Sequence, residues 1–379
     1  MRLRFALIAL AAAYFFIGAT SLSIIGLVPE MSADLGVTPA SIASLVTIFA
    51  LVYAVAAPGL QAALGGFSRA KLVSAGLVLV ALSCFGSAMA GDYATVAASR
   101  ATMALGAALA GPTASAAAAS MVPPERRAQA LATVFAGLTL STVFGVPLAS
   151  FLGQTFGWRS AWVAIGLAAL LVAPLVLLAM DRTNRGTKAS VAALIAVMRD
   201  RALAMTIATT ALQICAQFIT YALLTIWLLD HLGTPVSLVP VALLVFGIGG
   251  VVGNALATPI ERRLGPETTV RLCLIVLALA LLGLWFSTPW PALILVLAFL
   301  WSASGLMIMA PLQSRLVRLA PEAVNLSMAM NASAIYVGMS AGAALSGVFF
   351  TQFGLANLPL ISVIAAVLAL LVFQASLVR

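Results

Sequence analysis

Nearly the whole chain divides into apolar runs of about 20 residues or more, the length that an α-helix needs to cross the hydrocarbon core of a bilayer. Short clusters of charged residues, proline and glycine separate these runs. Of the 379 residues, 63% are hydrophobic and 8% are charged, whereas a soluble domain carries about 25% charged residues. The sequence therefore predicts an all-α integral membrane protein, and the segments between the apolar runs are too short to form a soluble domain.

The runs predict about twelve transmembrane helices. Six lie in the first half of the chain, near residues 5–28, 40–64, 72–90, 93–121, 128–153 and 160–180. Six more lie near residues 202–229, 236–260, 269–287, 291–313, 323–352 and 356–377. The longest polar stretch separates the two sets, so we predict an N-terminal six-helix bundle over 1–180, a cytoplasmic linker over 181–201 and a C-terminal six-helix bundle over 202–379.

The first residues have the basic start of a secretory signal peptide, Met1-Arg2-Leu3-Arg4. The apolar run that follows reaches Val28, beyond the roughly 7–15 residues of a signal-peptide core, and further spans come after it. We interpret this segment as the first transmembrane helix, with a cleaved signal peptide as the alternative.

Basic residues are unevenly shared between alternate loops. If the N-terminus is cytoplasmic, seventeen of the nineteen basic residues lie on the inner side. They are Arg2, Arg4, Arg69, Lys71, Arg126, Arg127, Arg182, Arg185, Lys188, Arg199, Arg201, Arg262, Arg263, Arg271, Arg315, Arg318 and Arg379. Only Arg100 and Arg159 lie toward outer helix ends. Because cytoplasmic loops carry the excess of lysine and arginine, we predict that both termini are cytoplasmic.

The two halves of the chain resemble each other when one is shifted by about 197 positions. This shift pairs Phe49 with Phe246, Pro124-Glu125 with Pro321-Glu322, Gly145 with Gly342, and Phe156-Gly157 with Phe353-Gly354. A constant offset over more than 100 residues is typical of transporters built from parallel repeats around an axis normal to the membrane. It predicts two pseudo-symmetric six-helix bundles, with the substrate path between them.

Several motifs resemble those of the major facilitator superfamily, and within it the twelve-span drug and sugar efflux branch that includes arabinose-efflux-type permeases. They are Leu27-Val28-Pro29-Glu30-Met31, Asp34-Leu35-Gly36-Val37, Val122-Pro123-Pro124-Glu125-Arg126-Arg127-Ala128-Gln129-Ala130, Gly145-Val146-Pro147-Leu148 and Gly157-Trp158-Arg159. The resemblance covers nearly the whole chain. It implies the major facilitator fold and a monomeric secondary transporter of the inner membrane, which exchanges a small molecule for protons across the lipid bilayer.

Two motifs depart from the family pattern. The loop between helices 2 and 3, Leu64 to Lys71, keeps its basic end but has Gly65 where the family carries an acid. A latch built on that acid is missing, so the gating candidates are Arg69 and Lys71 together with Glu125, Arg126 and Arg127. In helix 5 the proline stands one residue later than in antiporters, at Pro147, where it and Gly145 are candidates for a bend or hinge.

Arg100 is the candidate for proton coupling, because a charge at the centre of a membrane helix costs about 2.5–3.5 kcal/mol and tends to be functional. The resemblance implies the same role for an arginine in helix 4. The expected partners of Arg100 are Glu30 and Asp34, which are four residues apart and share a face if helix 1 continues that far. The alternatives are that Arg100 reaches the outer interface and that both acids are solvated loop residues.

Polar residues at helical spacing predict the substrate-binding face, since a polar group in hydrocarbon needs a partner or a wet cavity. Gln213, Gln217 and Tyr221 form a stripe on helix 7, and Asn254, Asn331 and Tyr336 are weaker candidates. The alternative is hydrogen bonding between helices without substrate contact. Because no carboxylate lies deep in an apolar run, neutral or amphipathic substrates are favoured over strongly cationic ones.

Other classes of function find little support in the sequence. The positive charges lie in loops, which argues against a nucleic-acid partner, and the three cysteines lack metal-type or disulfide spacing. No phosphate-binding loop or catalytic triad is visible, so we predict neither an enzyme nor a cofactor. An uptake symporter, a facilitator and a non-transporting membrane sensor or scaffold remain as alternatives to the exporter.

Overall fold

The computed structural model describes residues 2–123, 126–181, 200–320 and 324–377, and these ranges are helical, with no β-strand. The α-helices are α1 Arg2–Leu22, α2 Val28–Leu35, α3 Pro39–Leu64, α4 Arg69–Ala88, α5 Tyr93–Ser120, α6 Arg127–Leu140, α7 Val146–Phe156, α8 Trp158–Ala179, α9 Arg201–Tyr221, α10 Leu224–Ile226, α11 Leu238–Leu264, α12 Pro266–Trp285, α13 Pro291–Met307, α14 Met309–Leu319, α15 Val324–Phe353 and α16 Leu358–Ala375. The predicted all-α fold is confirmed.

Eleven segments within the described ranges are long and apolar enough to cross a membrane. They are Leu3–Leu35, Pro39–Gln61, Arg69–Ala88, Gln129–Phe156, Trp158–Ala179, Arg201–Tyr221, Leu238–Leu264, Pro266–Trp285, Pro291–Leu319, Met330–Phe353 and Leu355–Ala375. The chain is therefore a multi-pass membrane protein. Helix α5 has the length of a span at 28 residues, but its alanines, glycines and one arginine make it less apolar than the others.

Helix α5 begins at a capped N-terminus. Asp92 precedes it in an extended conformation and accepts hydrogen bonds from the Thr95 backbone N–H, at 2.8 Å, and from the Thr95 hydroxyl, at 3.1 Å. A carboxylate at this position satisfies backbone donors that have no partner inside the helix. The same bonds hold the pKa of Asp92 below its ordinary value.

The first span is continuous but changes its helical type. Helix α1 gives way to a 3-10 segment at Ser23–Leu27, and α2 follows directly. The sequence predicted that the first helix spans about residues 5–28, where the apolar run ends, with Glu30 and Asp34 on the same helix if it continued. Proline is tolerated in the first turn of a helix, where its missing N–H has no helical acceptor, and Pro29 lies in the first turn of α2.

The backbone falls into two compact units. The first comprises Met1–Val37 and Ile48–Ala189, and the second Thr38–Thr47 and Ser190–Arg379. The predicted linker lies almost wholly outside the described residues, since 182–199 are not described. The second unit also takes in the first residues of α3, which the sequence assigned to the N-terminal bundle.

In the first unit, small residues let α1 pack closely against the α6–α7 span. A methyl group at Gly137 would collide with the backbone carbonyl of Ala11, and one at Gly145 would lie 3.1 Å from the Ala19 side chain. Neither position has room for a larger residue without movement of α1. Close backbone approach through small residues is a common way in which membrane helices associate.

The second unit repeats this packing between α9 and α15. A methyl group at Gly338 would collide with the Ala211 carbonyl, and one at Gly342 would lie 2.5 Å from the Cys215 carbonyl oxygen. Gly342 is the residue that the shift of 197 positions pairs with Gly145. In each unit this glycine therefore faces the first long helix of that unit, as internal repeats require.

The span around Gly145 and Pro147 contains a local widening of the helix. Helix α6 ends at Leu140, a π-helical turn covers Ser141–Gly145, and α7 begins at Val146. Proline cannot donate to the carbonyl of the preceding turn, and π-helical turns are a recognised cause of helix bends. Gly145 and Pro147 thus lie at a change of helical register, and their role as a hinge stays a prediction.

The contact at Gly137 gives the first testable prediction. We expect Gly137→Ala to destabilise the protein, because overpacking costs about 1–3 kcal/mol. Gly59→Ala is the matched control, since nothing lies within 4 Å of a methyl group at Gly59. Thermal unfolding in detergent should show a lower melting temperature for the first variant and an equal or higher one for the second. Equal losses for both variants would contradict the packing described.

Candidate functional site

Arg100 lies on α5 inside the first unit and has none of its surface exposed. Its guanidinium donates through Nη1 to the backbone carbonyl of Thr20 and through Nη2 to that of Ser21, the latter at 3.1 Å. Nη1 also lies 3.4 Å from the sulfur of Met103. Arg100 is therefore a buried cation held by the backbone of α1.

These two carbonyls lie in the last turn of α1, where the first span changes its geometry. Helix α1 ends at Leu22 and the 3-10 segment begins at Ser23. The last carbonyls of an α-helix need donors from outside the helix, and the C-terminal end of a helix favours a nearby cation. Arg100 supplies N–H donors to two of these carbonyls and places a positive charge at this end of α1.

Aromatic rings complete the surroundings of Arg100. Its Cζ atom lies 4.6 Å from the centre of the Phe49 ring and 5.7 Å from that of Trp162. A ring face attracts a cation, more strongly where water is excluded. The alternative that Arg100 reaches the outer interface does not match this placement, since its guanidinium is enclosed among α1, Phe49 and Trp162.

Asp34 has a different cation as its partner. Its carboxylate lies 2.5 Å from Arg159 Nη1 and accepts from Trp158 Nε1 at 3.1 Å. Arg159 also donates to the Ala90 carbonyl at 2.8 Å. The pair is 40% and 45% exposed, so water screens it. The structure thus brings Asp34 to Arg159, and the predicted partnership of Asp34 with Arg100 is not seen.

Glu30 lies in the first turn of α2 and is half-buried. Its Oε2 atom is buried and has no hydrogen-bond partner among the described residues. It shares α2 with Asp34, as predicted if the first span continued, but it takes part in no ion pair of the described ranges. Glu30 is thus a partly desolvated carboxyl group with one oxygen available to a proton.

The helix 7 stripe lies on α9 in the second unit. Gln213 and Gln217 are buried, and Gln217 Nε2 donates to Gln213 Oε1 at 2.8 Å. Gln213 Nε2 has no hydrogen-bond partner in the part of the chain that the structure describes. The Gln217 carboxamide lies directly against Gly305 of α13. The two side chains form one carboxamide pair that keeps an unused donor.

One helical turn further along α9, Tyr221 belongs to an aromatic cluster. Its ring stacks on Phe246 of α11 with centres 4.4 Å apart, and meets Trp301 of α13 edge to face at 6.0 Å. Phe246 and Trp301 contact each other at 5.0 Å. The carboxamide pair therefore lies beside a set of large apolar rings, a combination typical of sites for small organic molecules.

The weaker substrate candidates are dispersed. Asn331 is buried and accepts from the Thr210 hydroxyl at 2.7 Å, which is a hydrogen bond between α15 and α9. Tyr336 is half-buried and Asn254 is exposed. For Asn331 this arrangement is the one expected of packing between helices.

The gating candidates are placed at helix starts. Arg69 begins α4 and is half-buried, whereas Lys71, Arg126 and Arg127 are exposed. Glu125 lies outside the described residues, so its predicted contact with Arg126 or Arg127 stays untested.

Two sets of polar contacts in the first unit were not predicted from the sequence. The Tyr14 hydroxyl donates to the Gly111 carbonyl at 2.9 Å and lies 2.5 Å from the Ser115 hydroxyl. Gln61 Nε2 donates to the Thr113 hydroxyl at 3.0 Å. The rule that singled out Gln213 applies equally to Tyr14, which is a polar side chain within an apolar run.

A second buried arginine was also missed. Arg315 of α14 donates to the Ser376 carbonyl at 2.9 Å and to the Thr206 hydroxyl at 3.2 Å. It shares Glu267 of α12 with Arg318, at 3.4 and 2.7 Å. From the sequence, Arg315 and Arg318 were expected on the inner side, beyond the helix predicted near 291–313. Arg315 therefore joins helices within the second unit.

Multiple spans with buried polar and charged groups inside each unit are expected of a membrane transporter. The chain belongs to the Major Facilitator Superfamily, whose family profile matches residues 10–324 and 206–379. The Inner membrane transport protein YdhP of Escherichia coli (strain K12) is 31% identical over 374 residues, with 98% of this chain and 95% of the relative covered. The MFS-type transporter YbcL of Bacillus subtilis (strain 168) is 30% identical over 367 residues, covering 96% and 93%.

Solved structures agree on the fold. The nucleoside transporter NupG aligns with a TM-score of 0.81 at 12% identity, covering 99% of each chain. A bacterial homologue of the human lysosomal transporter Spinster aligns with a TM-score of 0.77 at 16% identity, covering 99% of this chain and 97% of the other. The predicted major facilitator fold is confirmed, and the chain belongs to a family of transporters rather than enzymes.

Arg100 is buried and the Asp34–Arg159 pair is partly exposed, so we expect these two sets of contacts to contribute very differently to the free energy of unfolding. Asp34→Asn should lower the free energy of unfolding by less than about 1 kcal/mol, as for exposed ion pairs. Arg100→Gln removes two charge-assisted hydrogen bonds and should cost at least about 3 kcal/mol. Thermal unfolding in detergent at a fixed pH compares the two. A larger loss for Asp34→Asn would show that the buried cation does not hold the first span.

Proposed function

We propose that the protein is a proton-coupled exporter of small neutral or amphipathic organic molecules, of the drug, sugar or nucleoside class, and that it works by alternating access. It resides in the inner membrane as a monomer with both termini in the cytoplasm. Its relation to an inner-membrane transport protein of Escherichia coli and the distribution of its basic residues support this location and orientation.

The observation that carries the proposal is the attachment of Arg100 to the point where α1 becomes a 3-10 segment. A buried cation that binds backbone carbonyls can release them only if another acceptor or water replaces them. Its hydrogen bonds therefore depend on the geometry of the first span. A change in the helical geometry of the first span therefore changes the hydrogen bonds of Arg100.

Glu30 supplies the titrating group on the same span. Its carboxyl group lies in α2, directly after the 3-10 segment, with one oxygen buried and unpartnered among the described residues. A change in the 3-10 segment changes the surroundings of both Glu30 and Arg100. Proton uptake at Glu30 from outside and release inside then accompany the change in access of the substrate.

One titrating carboxyl group can couple enough free energy to drive accumulation of substrate. At a membrane potential of 100 mV, one translocated charge supplies about 2.3 kcal/mol. That free energy supports a concentration ratio of about fifty. The proposed transporter needs no nucleotide and no second coupling ion for accumulation of this size.

The second unit supports the choice of substrate. The carboxamide pair of Gln213 and Gln217 offers an unused N–H donor, and Tyr221, Phe246 and Trp301 offer apolar rings nearby. No acidic side chain of the described residues is fully buried. A strongly cationic substrate would find no compensating charge, whereas a neutral molecule with an acceptor and a flat apolar part would be bound well.

Uptake by symport or facilitated diffusion is the second candidate function, since the same fold supports it. Export predicts that cells expressing the protein accumulate less substrate than cells with an Arg100→Gln variant. Higher accumulation with the wild-type protein would overturn the exporter and favour uptake. Equal accumulation for every substrate class would favour the non-transporting sensor.

The coupling proposal predicts substrate-driven proton movement in proteoliposomes screened with drugs, sugars and nucleosides. We expect Glu30→Gln and Arg100→Lys each to abolish it, because the first cannot titrate and a single ammonium cannot bind both carbonyls as a guanidinium does. Asp34→Asn is the matched control, because its carboxylate is exposed and paired with Arg159. Substrate flux without proton movement in the wild-type protein, unchanged in both variants, would contradict the coupling.

The substrate proposal predicts that Gly305→Ala raises the KM of transport. An added methyl group collides with the Gln217 carboxamide, and loss of its hydrogen bonding should raise KM about fivefold to tenfold. Gly283→Ala is the control, since its methyl group meets only the flexible end of Leu297, at 2.8 Å. Equal KM values for the two variants would remove the carboxamide pair from the binding site.

A further inference from the structure

A groove in the first unit lies outside the residues assigned to substrate binding and proton coupling, although one residue that lines it, Arg126, is a gating candidate. It has a volume of about 400 Å³ and lies where the first turns of α1 approach the end of α5 and the start of α6. Arg4 and Arg126 line it together with Leu3, Leu7, Ile8 and Val122. We propose that this groove binds an anionic phospholipid, its phosphate between the two arginines and an acyl chain along the apolar wall.

The apolar wall faces the surroundings of the protein. Ile8 is 62% exposed and Leu3 is 42% exposed. Exposed apolar side chains on a membrane-spanning helix face lipid rather than other helices. The apolar wall of the groove therefore contacts acyl chains of the bilayer, whichever headgroup lies at its basic end.

The two arginines make the groove selective for charge. Arg4 and Arg126 are both exposed and line the same groove, although they are far apart in sequence. A guanidinium binds phosphate oxygens through paired N–H donors. Both residues belong to the side with the excess of basic residues, and basic pockets between membrane helices on the cytoplasmic side bind anionic headgroups.

Occupancy of the groove has a structural consequence. The helices that form it, α1 and α6, are the ones that pack closely at Gly137 and Ala11, and α1 carries the carbonyls held by Arg100. A lipid phosphate that bridges Arg4 and Arg126 reduces the repulsion between two neighbouring positive charges and links the first turn of α1 to the region where α6 begins. We therefore expect the lipid to stabilise the first unit.

Native mass spectrometry of the purified full chain tests the proposal, with dioleoyl phosphatidylglycerol and dioleoyl phosphatidylcholine at equal concentrations. The wild-type protein should retain phosphatidylglycerol preferentially. Arg4→Ala/Arg126→Ala should weaken phosphatidylglycerol binding about thirtyfold, from the contribution of two basic residues near a membrane surface. Arg262→Ala/Arg263→Ala removes an exposed basic pair elsewhere and should bind as the wild-type protein does.

Further arms separate the outcomes. Arg4→Lys/Arg126→Lys keeps both charges and should retain a preference for phosphatidylglycerol, which shows that loss in the alanine variant reflects charge rather than misfolding. Glycerol phosphate at the same concentration should not displace the lipid, because it lacks acyl chains. Unchanged phosphatidylglycerol binding in Arg4→Ala/Arg126→Ala would overturn the proposal. Displacement by glycerol phosphate would instead identify a site for a free phosphate-bearing solute.

Discussion

The burial of a positive charge at Arg100 is the constraint on which the arrangement of the first unit depends. A guanidinium without access to water must have its N–H groups satisfied by the protein. Here the acceptors are two carbonyls of α1, in its last turn before the α-helix ends at Leu22. The 3-10 segment and then α2, which carries Glu30, come directly after that ending.

The chemistry of the two units suits two different parts of the proposed function, proton coupling in the first unit and substrate binding in the second. The first contains the buried cation and the partly buried carboxyl group of Glu30, which are the elements that a proton-coupled mechanism requires. The second contains the neutral carboxamide pair and the cluster around Tyr221. Proton coupling needs groups whose charge changes, whereas binding of a neutral substrate needs directed hydrogen bonds beside apolar surface.

The sequence was sufficient for the fold and for singling out Arg100 as a charge within a helix, because both follow from the cost of placing polar groups in hydrocarbon. The role of Arg100 in proton coupling stays a prediction. The sequence failed on the partner of Arg100. Acidic side chains were the expected partners, whereas the partners found are backbone carbonyls at a change of helical type that the residue pattern does not indicate. Likewise, the spacing of Gln213 and Gln217 predicted one face, but the rings of Phe246 and Trp301 reach it only through tertiary packing.

Hydrogen–deuterium exchange of the 3-10 segment tests the central claim most directly, namely that Arg100 fixes the ending of α1. Amides of Ser23–Leu27 should exchange at least about tenfold faster in Arg100→Gln than in the wild-type protein, which corresponds to a loss of about 1.4 kcal/mol in local stability. Amides of α9, in the other unit, should not change. Equal exchange of Ser23–Leu27 in both proteins would contradict the account, because the helix ending would then not depend on Arg100.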